Sequence, residues 1–417
     1  MAVDMTSLKE HASTSERERD EPFDAEADFH PTRITPQTFQ RLLTCYNTTA
    51  QNVQRRKAML KLQPKGASSK KRKTGSGSSS DVLITKTEFD PSEERIIKDQ
   101  LDRYLELDSW RYWGMPVLIW QRLAMGNLED AEDDEAAYFT SEELCRTMEW
   151  KTKHGRPRPA LMGMIKSNQE KLVFKCTSTA LKSLPTIKDK KNFTSNSNPT
   201  TIPDEVFPKQ SMDDLSPLRG VGPATASLIL SIATTNAKDG ETGEESERIQ
   251  VPFFSDDTYL WLCVEVFPES SVSSETVRVI RNGGSGDGAG SGKGPGSKFI
   301  KPNGELNLKY NIAEYRELWE ACFELRERLS GGGATISMAD IEKVAYVLRN
   351  IALSGYYPDI DMQEILRMSA EQVEALLVRL GEPEGGDGDE SPEQKNESET
   401  QDVKGSRSSK RTRTKKA

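Results

Sequence analysis

Two short stretches of the chain hold residue types whose spacing could do chemistry. In the first, Gly220-Val221-Gly222-Pro223, two residues without side chains bracket one apolar residue ahead of a proline. Glycine reaches positive φ without strain, so a very tight turn fits here. Pro223 can open a helix at a position where its missing amide hydrogen would have had no partner. A turn of this kind aims backbone amides and a helix N-terminus outward, which makes a seat for a phosphate across Gly220, Val221, Gly222, Ala224 and Thr225. The same pattern also fits a tight corner between two core helices. The second stretch is Ser255-Asp256-Asp257-Thr258, two adjacent carboxylates before the apolar run Tyr259-Leu260-Trp261-Leu262. Directly before such a run they read as the acidic first turn of a helix capped by Ser255, an arrangement worth roughly a kcal/mol that needs no substrate.

A third stretch, Trp150 to Pro159, puts Lys151, Lys153, Arg156 and Arg158 beside one ring and two prolines. These four cations are the expected helpers of a phosphate-binding turn. His154 lies among them, and with no fixed partner in view it reads as a helix-end cation rather than an acid or base. The net charge of -9 argues against a polyanionic partner only if charge is spread evenly, and it is not. Acid gathers in Glu129 to Glu135 and Glu382 to Asp402, base in Lys70 to Lys73, Lys151 to Arg158 and Lys404 to Lys416. The two outer basic runs have the composition of nuclear-import addresses or nucleic-acid patches.

The elements that position these groups read as helices, and the expected fold is all-α: one discontinuous helical domain with disordered arms and low-complexity insertions. Residues 1–33 are a charged arm. Within 34–62, Phe39, Leu42, Leu43, Tyr46, Ala50 and Val53 recur at helical spacing after Pro36. A Ser/Gly/Lys-rich linker over 63–88 precedes a helical region at 89–185. There, Asp90-Pro91-Ser92-Glu93, Thr140 to Glu143 and Ser167 to Glu170 have the spacing of helix N-termini. Trp110, Tyr112, Trp113 and Trp120 are expected in the core. A polar linker (186–210) leads to the glycine turn and the segment behind it (211–268). Pro217 should shorten or bend the helix before the turn. A Ser/Gly-rich insertion (269–304) separates these from the C-terminal helices (305–381), in which Ser337 caps a strongly apolar helix. The last helix, from Ser369 to Leu380, could serve a protein partner. Residues 382–417 are an acidic and then basic tail. Five scattered cysteines suggest neither a disulfide framework nor a metal cluster, and no apolar run reaches the ~20 residues of a membrane helix. No small-molecule cofactor is indicated.

Taken together, Leu215 to Leu230 resembles a helix-hairpin-helix DNA-binding motif. Gly-Val-Gly, a helix ending in Ile-Ala, an apolar segment and then Asp-Thr before another helix resembles the helix-hairpin-helix DNA glycosylase superfamily over residues 212–267. That resemblance implies double-stranded DNA as partner, with Asp257 as the first and Asp256 as the second catalytic candidate for cleaving an N-glycosidic bond on a flipped nucleotide. Bifunctional members carry a nucleophilic lysine two residues after the second glycine. Ala224 stands there in this chain, so strand cleavage is not implied. The stretch around Trp150 to Arg156 with Phe253 to Asp256 also resembles a eukaryotic family, without functional implication. Three readings follow: a nuclear protein gripping the DNA backbone with little regard to sequence, a monofunctional DNA glycosylase, and a non-enzymatic scaffold of a chromatin complex whose hairpin merely packs helices.

Overall fold

The computed structural model describes residues 28–64, 86, 88–126, 137–185, 206–235, 249–268, 307–330, 335–358, 360–368 and 372, 373 and 376. Residues 1–27, most of both linkers, the Ser/Gly-rich insertion and the basic runs at Lys70 and Lys404 lie outside them, whereas the last residues of the expected arm are packed: Phe29 is buried and its carbonyl accepts from Trp261 Nε1. Every element among the described residues is helical, so the fold is all-α. No described helix is long and apolar enough to cross a membrane.

Helix α1 (Pro36–Thr44) starts on Thr35, whose hydroxyl accepts from Thr38 N. The single helix expected from Phe39 to Val53 is divided at Cys45, after which α2 (Tyr46–Lys61) begins. Asp90 caps α3 (Pro91–Ser109) with a full reciprocal box to Glu93. A π-helical turn at Trp110–Gly114 then leads into α4 (Met115–Gly126). Thr140 and Glu143 form the same box on α5 (Ser141–His154), as their spacing predicts. The pair Ser167 and Glu170 does not. Ser167 instead ends α6 (Pro159–Lys166), its hydroxyl donating to Met164 O, and α7 (Glu170–Lys182) starts from Gln169 without a side-chain cap. The capping spacing is there, but the chain needs Ser167 to close the preceding helix.

Helix α8 (Lys209–Leu215) stops two residues before Pro217, the shortening that a proline at this place imposes. The glycine turn follows, then α9 (Pro223–Ala233), α10 (Asp256–Leu262), α11 (Ile312–Ser330), α12 (Met338–Arg349) and α13 (Met362–Arg367). Ser337 caps α12 in a box with Asp340. Helix α9 is the middle of the molecule: Leu228, Ile229, Leu230 and Ile232 are all fully buried. Helices α11 and α12 return to it with Trp319, Cys322, Val344 and Val347, so residues more than a hundred positions apart share one core. Val373 and Leu376 also pack on that core; the rest of the helix expected to serve a partner lies outside the described residues.

The expected cluster of core aromatics splits. Tyr112 is buried, whereas Trp113 is 63% and Trp120 40% exposed. The π-turn explains part of this: an extra residue in the turn rotates the face, so Arg111 and Tyr112 point inward and Trp113 outward. Arg111, fully buried, donates to Glu342 (2.7 Å) and to Ser231 of α9 (3.1 Å), and Tyr112 OH donates to Glu342 at 3.0 Å. A buried charge demands such partners, and this one ties α9 to α12.

Candidate nucleic-acid interface and carboxylate site

The glycine turn is built as its residues require. Gly220 has φ +82°, the left-handed region that glycine enters freely. A side chain there would meet Leu161, Met164 and Ile165 of α6 at 3.1 to 3.3 Å, so the turn sits tightly against that helix. Val221 is buried beneath it. Gly222 differs from Gly220. It is extended at φ -104°, acts as N-cap of α9, and a Cβ would meet nothing within 4 Å. Its backbone therefore does not require glycine, and the space in front of it is open.

The turn's amides divide into spent and unspent. Val221 N donates to Leu218 O at 3.1 Å, and Thr225 N and Ala226 N donate to Gly222 O at 2.8 and 2.9 Å. The amides of Gly220, Gly222 and Ala224 make no hydrogen bond among the described residues. Thr225 is buried, so its place in the predicted seat is structural. Asn168 holds the turn from outside: its Oδ1 accepts from Arg219 N at 2.8 Å and its Nδ2 donates to Arg219 O at 3.0 Å. The side chain thus pairs with one peptide unit the way a neighbouring strand would. Arg219 itself is exposed at the apex. Neither Asn168 nor Arg219 stood out in the sequence, because their pairing spans 51 positions and no local pattern announces it.

Two hydrogen bonds carry the aspartates to this turn. Val251 N donates to Thr234 Oγ1 (2.9 Å) at the far end of α9, and Phe254 N donates to Ser227 Oγ (3.0 Å) one turn in from its start. Residues 251–254 therefore run back along α9 toward the hairpin and deliver α10 beside it. Ser255 caps α10 by accepting from Thr258 N, which is the bland role expected of it. Asp256 and Asp257 form the acidic first turn behind it, as that account expects, and neither accepts a capping bond.

Asp256 and Asp257 face different sides. Tyr310 OH donates to Asp256 Oδ1 at 2.8 Å, and Arg158 donates to Tyr310 OH at 3.3 Å. Tyr310 is one of two non-glycine residues at positive φ among the described residues (φ 53°), a conformation that costs a non-glycine residue roughly 1 kcal/mol. Asp257 makes no side-chain hydrogen bond and no ion pair among the described residues. Burial pushes its carboxyl up to about 6, with Asp256 adding to the rise and Arg349, Lys57 and Arg156 opposing it. A half-buried carboxylate with no partner, ionising near neutrality, is what acid-base work needs and what a structural acid avoids.

The four predicted cations do not act alike. Lys151 turns inward: its Nζ donates to Ala224 O (2.8 Å) and Thr225 Oγ1 (3.0 Å), over the Phe253 ring. Burial lowers this amine to about 7, aided by Arg158 and resisted by Asp256. Lys153 pairs with Glu149 at 2.6 Å. Arg156 is exposed and has no ion pair among the described residues, and Arg158 lies over the Tyr310 ring. Lys57, which the sequence did not mark, donates to the carbonyls of Lys153 and His154 at 2.8 Å each and so closes the end of α5. Its amine is lowered to about 8 by burial, with Lys61 adding and Asp257 opposing.

His154 is not the helix-end cation its position suggested. It is buried, stacks on Trp150 and Tyr346 with centroids 4.5 and 4.1 Å away, and its Nδ1 meets Tyr104 OH at 2.7 Å. Burial, with Lys57 and Arg111 nearby, holds it well below its usual range and keeps it neutral. The helix-end positive charge is supplied by Lys57 instead. Beside it, Asp108 accepts from Tyr46, Tyr104 and Trp150, a satisfied buried carboxylate and the opposite of Asp257.

No group of His, Cys, Asp and Glu suited to a metal ion occurs among the described residues. Comparison with protein families, curated proteins and solved structures finds no match to this chain.

Proposed function

We propose that this protein binds the DNA backbone through its glycine turn, with little dependence on base sequence, and that it works in the nucleus. The observation that carries the reading is the set of unspent amides of Gly220, Gly222 and Ala224, with open space before Gly222. Three amide hydrogens at the start of a helix suit one phosphate, whose oxygens spread over several donors. Arg219 and Arg156, both exposed, add charge that is not tied to an acid. Contacts of this kind fix position and carry no base information. Titration of unrelated duplexes at several salt concentrations tests it. Affinity should be the same for each sequence and fall linearly with log salt. A protein that ignores duplex DNA at low salt would refute the reading.

A second reading is favoured by Asp257. An unpartnered carboxylate ionising near pH 6, beside a phosphate-holding turn, fits a monofunctional N-glycosylase. In that mechanism DNA binding draws one nucleotide out of the stack and sets its sugar at Asp257. The C1′–N bond breaks with its electron pair leaving on the base, which takes a proton from solvent, while Asp257 balances the oxocarbenium-like sugar and accepts a proton from the water whose oxygen bonds to C1′. Ionised Asp257 is the working form, so base release should rise with pH through about 6. Duplexes with single damaged bases, scored for abasic sites with wild type and Asp257→Asn, test this. Release by wild type and not by the variant supports the enzyme; release by neither leaves a binding protein.

A further inference from the structure

Arg349 ends α12, is exposed, and forms no ion pair among the described residues. The bland account is a cation at a helix C-terminus, favoured by the helix dipole. What surrounds it goes further. Helix α12 packs on α10, and Tyr346, one turn before Arg349, stacks on His154 in the last turn of α5 at 4.1 Å. The end of α12, the end of α5 with Arg156 just beyond it, Lys57 of α2 and Asp257 of α10 therefore converge on one spot. Three cations lie around Asp257, yet none stands within ion-pair distance of it. Lys57 is satisfied by carbonyl oxygens, which neutralise no charge, and the two arginines touch no carboxylate. The spot thus carries more positive than negative charge and leaves two guanidinium groups free at the surface.

Adjacent residues on a helix point about 100° apart. Asp256 accepts from Tyr310, whose hydroxyl Arg158 also meets, while Asp257 sits where α10 packs on α12, in the field of Arg349 and Arg156. The hairpin and the arginine pair consequently lie on different sides of the two aspartates.

We infer that Arg349 and Arg156 form a second phosphate seat, which with the hairpin amides holds one DNA strand at two phosphates across Asp256 and Asp257. This rests on the DNA-binding reading and adds to it the path of the strand. Guanidinium groups suit the role, since they present paired donors to phosphate oxygens and stay charged at any working pH. A strand held on both sides of a carboxylate presents the intervening sugar to it, whether or not chemistry follows.

The experiment uses the full chain and measures duplex affinity against salt for wild type, Arg349→Gln, Arg156→Gln, Gly222→Asp and Arg103→Gln, the last removing an exposed arginine on α3 outside the cluster. Arg349→Gln and Arg156→Gln should each weaken binding about tenfold at moderate salt and reduce the magnitude of the log-log salt slope by about one, Gly222→Asp should abolish binding, and Arg103→Gln should leave both unchanged. An Arg349→Gln protein with wild-type affinity and slope would overturn the second seat, and loss of binding by Gly222→Asp in the same series would leave the hairpin reading standing. The reverse pattern would keep the arginine seat and remove the hairpin. Wild type that binds no duplex removes both.

Discussion

Lys151 Nζ lies 2.8 Å from the carbonyl oxygen of Ala224, so an amine from α5 is set against the first turn of the hairpin helix. Among the predicted DNA contacts, Lys151 is therefore the one that shapes the seat from within. Burial lowers it to about 7, whereas in the unfolded chain it titrates near 10.5. Between those values the unfolded chain holds a proton that the folded protein does not, so stability from this group is complete at high pH and is lost as pH falls toward 7. Urea midpoints at pH 7 and 9.5 should rise more steeply in wild type than in Lys151→Met. Equal slopes would mean that the amine is solvated.

Asp257 should behave in the opposite sense. Its folded value is raised from 3.8 to about 6, so its contribution is intact at low pH and is lost as pH rises through 6. Asp257→Asn, a neutral mimic, should stabilise the protein at pH 7.5 by up to about 3 kcal/mol and lose that advantage near pH 4. A functional carboxylate kept at a cost in stability gives this pattern; a helix-capping one gives destabilisation at pH 7.5 instead.

Arg111 and Glu342 should carry the scaffold. Glu342→Ala strands a fully buried guanidinium and should destabilise by about 3 to 5 kcal/mol in denaturant titration. A loss below 1 kcal/mol would show that water reaches Arg111.

Asn168→Ala removes both bonds to the Arg219 peptide. Because these groups are near solvent, the stability loss should be small, about 1 kcal/mol. Duplex affinity should fall more than that figure implies, since a loosened turn no longer presents its amides together. An affinity unchanged alongside the expected stability loss would show that the clamp does not shape the seat.

What was legible in the chain was local. The boxes at Asp90, Thr140 and Ser337 and the turn at Gly220 depend on residues within four positions of each other, and they form where spacing places them. The site depends on distant pairs. Lys151 with Ala224 and Asn168 with Arg219 are joined, and Arg349 is brought toward Asp257, only once the helices pack, and neither periodicity nor composition encodes such pairs. Trp113 and His154 fail for the same reason from opposite sides: a π-turn rotates one outward, and stacking between two rings draws the other in.

The decisive measurement is duplex binding by Gly222→Asp. The backbone of Gly222 is extended, a side chain there meets nothing, and aspartate is a good N-cap. This variant should therefore fold as well as wild type or about a few tenths of a kcal/mol better, while its carboxylate occupies and repels from the place proposed for a phosphate. Intact stability with binding lost is the predicted result. Intact stability with wild-type affinity would contradict the account, because the turn's free amides would then have no part in holding DNA.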